Sequence, residues 1–282
     1  MVRIIVDSAT DMPEKLRKKH DILMVSLQVT VGDKSFRDWT ELGPEELYDW
    51  LAREPIAPVT SQPVTSDWYE VLDGCEKRGE DVLIITMSSA LSGTYSGAML
   101  AIKNYPEMNI EVCDCRTASL GNALIALELV KKRDAGASLG ELVEEFKQLN
   151  ERIHTYVVVG SMEMLKRGGR ISATSAMLGN ILNIKPILLI NEEGKLEPLE
   201  KVRGWKKAHD FLVQRYKEFA EPGAPVALAS ANNPDEVDRM AAGILGYDPK
   251  VDIHKMEIGA VIGSHVGPGT VGLALFERLD YE

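Results

Sequence analysis

Several features that would assign a function directly are scarce or missing in this sequence. Its 282 residues include only three cysteines, Cys75, Cys113 and Cys115, which argues against a disulfide framework and favours a reducing compartment. No apolar run approaches the ~18 residues of a membrane span, and the first residues, MVRIIVDSAT, predict a strand rather than a signal peptide. The net charge of -11 would repel a phosphate backbone. We therefore expect a cytoplasmic protein with no nucleic-acid partner, no membrane span and at most transient membrane contact.

The common nucleotide and nucleophile motifs are also missing. No G-x-x-x-x-G-K-[ST] phosphate loop and no G-x-S-x-G nucleophile elbow occurs. Gly267, Gly269 and Gly272 do fit G-x-G-x-x-G, but that fingerprint belongs to a βαβ unit with an acidic residue ~20 positions further on. Only ten residues follow Gly272, so we do not expect a dinucleotide site.

What the chain does contain is a regular alternation of short apolar runs with helical patterns. This alternation predicts an α/β protein with two domains, residues 1–154 and residues 155–282. The N-terminal domain should hold a mostly parallel sheet with flanking helices. Apolar runs on both sides of Glu193-Gly194 predict a hairpin over 184–204, so the C-terminal domain should hold a mixed sheet with helices.

Other elements are predicted from local signals. Ser138 and Glu141 have the spacing of a capping box at the start of a helix. The run 22–31 predicts one strand, and 58–66, with two prolines, predicts a loop. Residues 173–182 predict a helix in the second domain.

Candidate binding residues cluster where predicted strands end. The segments DSATD (7–11) and SSALSGTYSGA (88–98) each follow a buried strand, and ligands of open α/β sheets bind beyond such carboxyl ends. In the second segment, Ser92, Gly93 and Thr94 start a helix, whose free N–H groups favour an oxyanion or a carboxylate. Structural roles stay open: Asp7 and Asp11 could cap a helix, and Ser92 could be a turn residue.

Taken together, the motifs of this chain resemble the DegV family, which includes the fatty-acid-binding proteins called FakB. The resemblance spans essentially the whole chain and rests on seven segments in order: DSATD, TSQP, SSALSGTYSGA, LKRGGRIS, IKPIL, KVRG and HVGPGTVG. It implies two α/β domains with a long-chain fatty acid, about C16–C18, in an apolar tunnel. It also implies that a separate fatty acid kinase phosphorylates the presented carboxylate, that no cofactor or metal is needed, and that the protein is not an enzyme.

The resemblance also implies which residues of this chain meet the ligand. The carboxylate-binding set is Thr60, Ser61, Ser92, Gly93, Thr94 and His265. The phosphate- or kinase-facing set is Arg170, Arg203 and Thr270. The candidate tail lining is the apolar stretch 175–190, although an ordinary helix–strand core would have the same composition.

Two other functions are compatible with the same residues. A serine hydrolase acting on lipid esters would use Ser92 or Ser89 with His265 and Asp7, but a triad depends on geometry that a sequence does not give. A lipid-responsive adaptor would recognise a protein partner through a surface that cannot be identified from the sequence.

Overall fold

Strands and helices alternate along most of the chain. The structure is a computed structural model and describes residues 2–54, 57–171 and 183–279. The strands are β1 (Val2–Asp7), β2 (Ile22–Val25), β3 (Gln28–Val31), β4 (Lys34–Arg37), β5 (Val59–Ser61), β6 (Asp81–Thr86), β7 (Ile110–Asp114), β8 (Ile153–Val158), β9 (Ile184–Ile190), β10 (Leu196–Arg203), β11 (Val226–Ser230), β12 (Ile253–Glu257) and β13 (Val271–Phe276). The α-helices are α1 (Glu14–Lys19), α2 (Pro44–Arg53), α3 (Thr65–Arg78), α4 (Thr94–Ala101), α5 (Leu120–Asp134), α6 (Leu139–Arg152), α7 (Met162–Gly168), α8 (Gly204–Phe219), α9 (Pro234–Leu245) and α10 (Ala260–Val266). Two 3-10 helices cover Ser8–Thr10 and Ile102–Asn104.

The first sheet is parallel throughout, in the order β2-β1-β6-β7. β6 is buried from Val82 to Thr86, as expected for a strand that is covered on both faces. The prediction of a mostly parallel first sheet is therefore confirmed. Since β1 and β6 are neighbours and parallel, the segments that follow Asp7 and Thr86 leave the sheet at one edge.

Two local predictions for the first half are wrong. The run 22–31 is not one strand: β2 belongs to the parallel sheet, whereas β3 pairs with β4 and β5 in a separate antiparallel sheet. The break comes at Ser26 and Leu27, where Ser26 Oγ donates to Asp38 O (2.9 Å) and Leu27 N donates to Ser8 Oγ (3.0 Å). The predicted loop 58–66 likewise contains β5, because its backbone pairs with β3.

The second sheet has six strands in the order β10-β9-β8-β13-β11-β12. The predicted hairpin is confirmed as the antiparallel pair β9 and β10, and only β11 and β12 run parallel, so the sheet is mixed as expected. The capping box at Ser138 is also confirmed. Two elements of this second half were not anticipated, the helix α10 and the strand β13, which lies between β8 and β11. The helix predicted over 173–182 lies outside the described residues.

Helix α5 packs between the two large sheets. It touches β1 and β6 on one side and β8, β11 and β13 on the other. Leu120 through Leu127 are all buried, and a helix that is apolar on every side is typical of a protein interior. One core cluster therefore continues from the parallel sheet into the mixed sheet. β8 begins at Ile153, close to the boundary predicted at 154/155, which remains a prediction.

The three cysteines lie in the interior of the protein. All three cysteines are free and buried. Burial raises the pKa of Cys75 to about 11 and that of Cys113 to about 12, so both stay thiols that pack as small apolar groups. Among the helices in the described part of the chain, none combines the length and the apolar character needed to cross a bilayer.

Candidate functional site

A cavity of about 350 Å³ lies between the parallel sheet, the six-stranded sheet and α10. Its volume is within the range of roughly 300–1,000 Å³ that is usual for small-molecule sites. Most of its wall is apolar, formed by Leu27, Met87, Leu91, Ala118, Leu120, Val157, Ile190, Leu196, Ile258, Val261, Ile262 and Val266. One part of the wall, here called the polar end, is formed by Thr60, Ser61, Gln62, Ser92, Gly93, Arg170 and His265.

His265 joins two elements at the polar end. Its Nε2 lies 2.7 Å from Thr60 Oγ1, so α10 and the edge strand β5 are linked there. Its Nδ1 is buried without a hydrogen-bond partner among the described residues. Burial, and secondly the positive charge of Arg170, lower the pKa of His265 to about 4. The imidazole is therefore neutral at pH 7 and can offer one N–H donor and one acceptor.

The glycines of LKRGGRIS bring the end of α7 against this imidazole. A Cβ at Gly168 would lie 2.2 Å from His265 Nδ1, so a larger residue would displace the ring. Gly169 has φ +67° and turns the chain after the helix. Arg170 then reaches the cavity wall, where its Nε donates to Leu91 O (3.2 Å) and its Nη1 to Gly168 O (2.5 Å).

Ser92 and Gly93 lie at the start of α4, as the sequence suggested. Ser92 Oγ is 2.8 Å from Thr94 Oγ1, and Thr94 N donates to Ser92 Oγ at 3.3 Å. Ser92 and Gly93 line the cavity, but Thr94 is fully buried behind them and is not part of the wall. Any contribution of Thr94 to ligand binding would therefore act through Ser92.

Gln62 also lines the polar end and is not among the site residues predicted from the sequence. A Cβ at Gly93 would lie only 2.4 Å from Gln62 Oε1, so the absence of a side chain at Gly93 makes room for the amide. The available signal was its position in TSQP, directly after the predicted site residues Thr60 and Ser61.

The residues of the predicted phosphate-facing set do not all lie together. Arg203 is exposed at the end of β10 and is not part of the cavity wall. Thr270 lines the cavity but is fully buried. Its hydroxyl lies 2.9 Å from both Val266 O and Gly267 O, and it accepts a hydrogen bond from Gly160 N at 2.9 Å. Thr270 therefore fixes the turn after α10, and its role toward phosphate remains a prediction.

The G-x-G-x-x-G stretch is a helix–turn–strand segment. Gly267 (φ +77°) and Gly269 (φ +84°) make the turn between α10 and β13. This order is the reverse of the strand–turn–helix of a dinucleotide site, so the expectation that the match has no such meaning is confirmed. Gly272 lies within β13 and lines the cavity.

Three fully buried aspartates, Asp7, Asp11 and Asp38, form an acidic cluster near the first residues of α10. Asp11 Oδ1 accepts a hydrogen bond from Gly259 N (2.8 Å), and Asp38 Oδ1 accepts one from Ala260 N (3.0 Å). Asp11 Oδ2 accepts one from Ser119 Oγ (2.5 Å). Burial raises the pKa of Asp7 and of Asp38 to about 7 and that of Asp11 well above its usual value. Asp11 and Asp38 therefore position α10. Helix α1 begins after Pro13, and neither Asp7 nor Asp11 caps it.

The described residues do not form a hydrolase triad. Ser92 pairs with Thr94 and His265 with Thr60, while Asp7 Oδ2 accepts a hydrogen bond from Met87 N (2.7 Å). Ser89 is exposed, and its Oγ donates to Asp114 Oδ2 (2.5 Å). A triad would need the histidine between the serine and a carboxylate. Nor does the described part of the chain contain a group of three or more His, Cys, Asp or Glu residues suited to a metal ion.

The tail lining predicted over 175–190 can be assessed only in part. Residues 175–182 lie outside the described residues. Of the remainder, Ile190 lines the cavity. Further wall residues are Ile258, just before α10, and Val261, within α10, a region for which no element was predicted from the sequence.

Comparison with known proteins reveals similarity over the full length of the chain. Residues 1–278 match the family model described as "Uncharacterised protein, DegV family". A DegV domain-containing protein of Caldanaerobacter subterraneus subsp. tengcongensis is 34% identical over 281 residues, covering 98% of this chain and 99% of that protein.

Solved structures with the same fold include proteins described with fatty acids. A DegV family protein from Thermus thermophilus, described by its fatty acid binding, is 32% identical with a TM-score of 0.90, covering 98% of this chain and 99% of that one. A DegV family protein from Ruminococcus gnavus ATCC 29149, described with vaccenic acid, is 26% identical with a TM-score of 0.85, covering 97% and 99%. The α/β fold with its parallel and mixed sheets is common to this chain and these structures.

Proposed function

This chain belongs to the DegV family, and on that premise we propose that it binds a long-chain fatty acid in the cavity. The observation that carries the proposal is a largely apolar cavity in which neutral hydroxyl, amide and imidazole groups lie beside one arginine at the polar end, with the hydroxyls of Ser119, Thr155 and Thr270 elsewhere on the wall. The carboxylate would lie at that end and the acyl chain along the apolar wall. Vaccenic acid in the Ruminococcus gnavus protein supports a ligand of about sixteen to eighteen carbons.

The energetics of such a complex are favourable. Each buried CH₂ contributes about 0.8 kcal/mol, so the acyl chain would supply most of the binding free energy. The carboxylate must be hydrogen-bonded, because an unpaired buried charge is very costly. Ser92, Thr60 and the Gly93 N–H are donors within the polar end, and the Arg170 guanidinium provides a positive charge beside it. These groups can hold a carboxylate without a metal ion.

A second hollow in the protein surface suits an anionic ligand less well than the cavity does. This hollow, about 810 Å³, is lined by residues of β8, β9 and α8. Five glutamates line it, Glu151, Glu192, Glu193, Glu197 and Glu277, against two arginines, Arg116 and Arg215. The excess of negative charge would repel a fatty-acid carboxylate, so we assign the ligand to the cavity beside α10.

We further propose that the protein presents the bound carboxylate to a fatty acid kinase and does not itself catalyse a reaction. The kinase would transfer a phosphoryl group from ATP to a carboxylate oxygen, giving an acyl phosphate and ADP. Arg203 is exposed and outside the cavity wall, which suits contact with a kinase rather than with the ligand.

Extraction of the purified protein with organic solvent, followed by mass spectrometry, tests fatty-acid binding. We expect a long-chain fatty acid, and we expect the delipidated protein to take up oleate or palmitate. An empty protein that also takes up neither would overturn the proposal.

Phosphorylation of the bound fatty acid by an added bacterial fatty acid kinase tests the second step. Arg203→Ala should slow acyl phosphate formation while leaving fatty-acid affinity unchanged. The matched control is Lys206→Ala, which removes an exposed charge from the first turn of α8. It should change neither the rate of phosphorylation nor the fatty-acid affinity. Equal loss of phosphorylation and affinity in Arg203→Ala would place Arg203 in the binding site.

A further inference from the structure

Gly272 is a glycine in the interior of a sheet, where glycine is normally unfavourable. It lies in β13, paired with Val157 of β8 on one side and with Ala229 of β11 on the other. A glycine at such a position lowers strand stability and often marks the close approach of a ligand or another group. Its remaining neighbours in β13 are apolar and buried, so the missing side chain calls for a local reason.

The group that approaches Gly272 is Leu120. A Cβ at Gly272 would lie 3.0 Å from Leu120 Cδ2 and 3.3 Å from Cδ1, closer than ordinary van der Waals contact. Both residues line the cavity. The Leu120 side chain therefore occupies the space that a side chain at position 272 would need.

The backbone of Leu120 is held in place. The preceding residue, Ser119, donates through its N–H to Ala9 O (2.8 Å) and through its hydroxyl to Asp11. Leu120 itself begins α5, which is buried between the two sheets. A side chain added at position 272 would therefore move the Leu120 side chain, and the cavity is the open space beside it.

Thr270 lies close to the polar end, because its hydroxyl donates a hydrogen bond to Val266 O, next to His265. Gly272, the second residue of β13, follows two residues later, about 7 Å further along an extended chain. The wall made by Gly272 and Leu120 therefore faces the part of a ligand beyond its carboxylate.

We propose that Gly272 and Leu120 together set the length of acyl chain that the cavity accepts. This inference rests on the proposed fatty-acid binding and adds the residues that would determine its specificity. A methyl group at position 272 would shorten the accepted chain, and a smaller side chain at position 120 would lengthen it. Each methylene that no longer fits should weaken binding about fourfold, which corresponds to about 0.8 kcal/mol.

The test compares affinities of the delipidated protein for a series of saturated fatty acids that differ by two carbons. Gly272→Ala should move the optimum to a shorter chain, and Leu120→Val should move it to a longer one. The double variant should return it toward that of the natural protein. If Gly272→Ala does not fold, the shift in Leu120→Val still decides the question.

The matched control is Gly243→Ala on α9. A Cβ there would lie 3.0 Å from Val213 Cγ2, so the crowding is similar but remote from the cavity. It should leave the length preference unchanged. An unchanged optimum in both Gly272→Ala and Leu120→Val, or an equal loss for every chain length, would overturn the inference while leaving fatty-acid binding intact. Failure of the natural protein to bind any member would instead overturn the proposed function.

Discussion

Helix α10 connects two polar regions, the fully buried acidic cluster and the partly exposed polar end of the cavity. At its first residues, Asp11 and Asp38 of the acidic cluster accept hydrogen bonds from backbone N–H groups of Gly259 and Ala260. In its last turn, His265 belongs to the polar end of the cavity, and its Nδ1 has no partner among the described residues. Asp11 and Asp38 thus stabilise the protein's own backbone, although Asp7 Oδ1 and Asp38 Oδ2, like His265 Nδ1, have no hydrogen-bond partner among the described residues. We propose that the polar end, which lines the cavity, binds a ligand.

Burial acts on both regions in opposite directions. It raises the pKa of the Asp7 and Asp38 carboxyls and lowers that of the His265 imidazole, since it disfavours the charged form of each. Substitutions in the acidic cluster should therefore change stability, and substitutions at the polar end should change ligand binding. The predictions below test that separation.

The largest effect is expected from Asp11→Ala. It removes the acceptor for Gly259 N and for Ser119 Oγ, and leaving both donors buried without partners should cost about 2–5 kcal/mol of unfolding free energy. Urea or thermal unfolding measures this loss. Asp33→Ala, at an exposed turn aspartate, is the control and should have little effect. Wild-type stability in Asp11→Ala would remove the structural role assigned to the acidic cluster.

Ser92→Ala should weaken fatty-acid binding more than it lowers the free energy of unfolding, because Ser92 Oγ also bonds to Thr94 at the start of α4. Loss of one donor to a buried carboxylate costs about 1.5–3 kcal/mol, or roughly 10- to 150-fold in affinity. Ser89→Ala, a neighbouring exposed serine outside the cavity wall, should bind normally. Titration of both delipidated variants with the same fatty acid makes the comparison, and equal affinities would mean that Ser92 does not hold the carboxylate.

The pH dependence of stability should reveal the carboxyl of Asp38. In the folded protein the pKa of Asp38 is about 7, above the ordinary value of 3.8. Its contribution to the free energy of unfolding is therefore fully present below pH 4 and is lost as the pH rises through 7. Relative to Asp38→Asn, which stays neutral, the natural protein should lose up to about 1.4 kcal/mol per pH unit between about pH 5 and 6, and about half of that per unit at pH 7. Urea unfolding of both proteins across this range gives the slopes. Parallel slopes would show that Asp38 is ionised throughout.

The smallest effect concerns His265. Its folded pKa of about 4 lies below the ordinary value of 6.5, so the ligand-free protein should show no imidazole titration between about pH 6 and 8. Its contribution to stability is present above pH 6.5 and is lost as the pH falls toward 4. NMR of the His265 ring protons measures the pKa directly, and a value near 6.5 would contradict the burial of this imidazole.

The sequence predicts the fold class and several site segments because these depend on local patterns. Strand–helix alternation predicts the parallel sheet, and the runs beside Glu193-Gly194 predict the hairpin. Ser92 and Gly93 were placed at the cavity because residues after a buried strand converge at one sheet edge.

What the sequence did not predict depends on contacts between distant segments. The break between β2 and β3 comes from hydrogen bonds with Ser8 and Asp38. The role of Gly272 depends on Leu120, which lies more than a hundred residues earlier in the chain. Neither pairing has a local sequence signal.

The most direct test of the account is a crystal structure of the protein with a bound long-chain fatty acid. We predict that the carboxylate will lie at the polar end, about 3 Å from Ser92 Oγ. The acyl chain should lie along the apolar wall and pack against Gly272 and Leu120. A carboxylate in the hollow lined by Glu193 and Glu277, or an acyl chain at the polar end, would contradict the account.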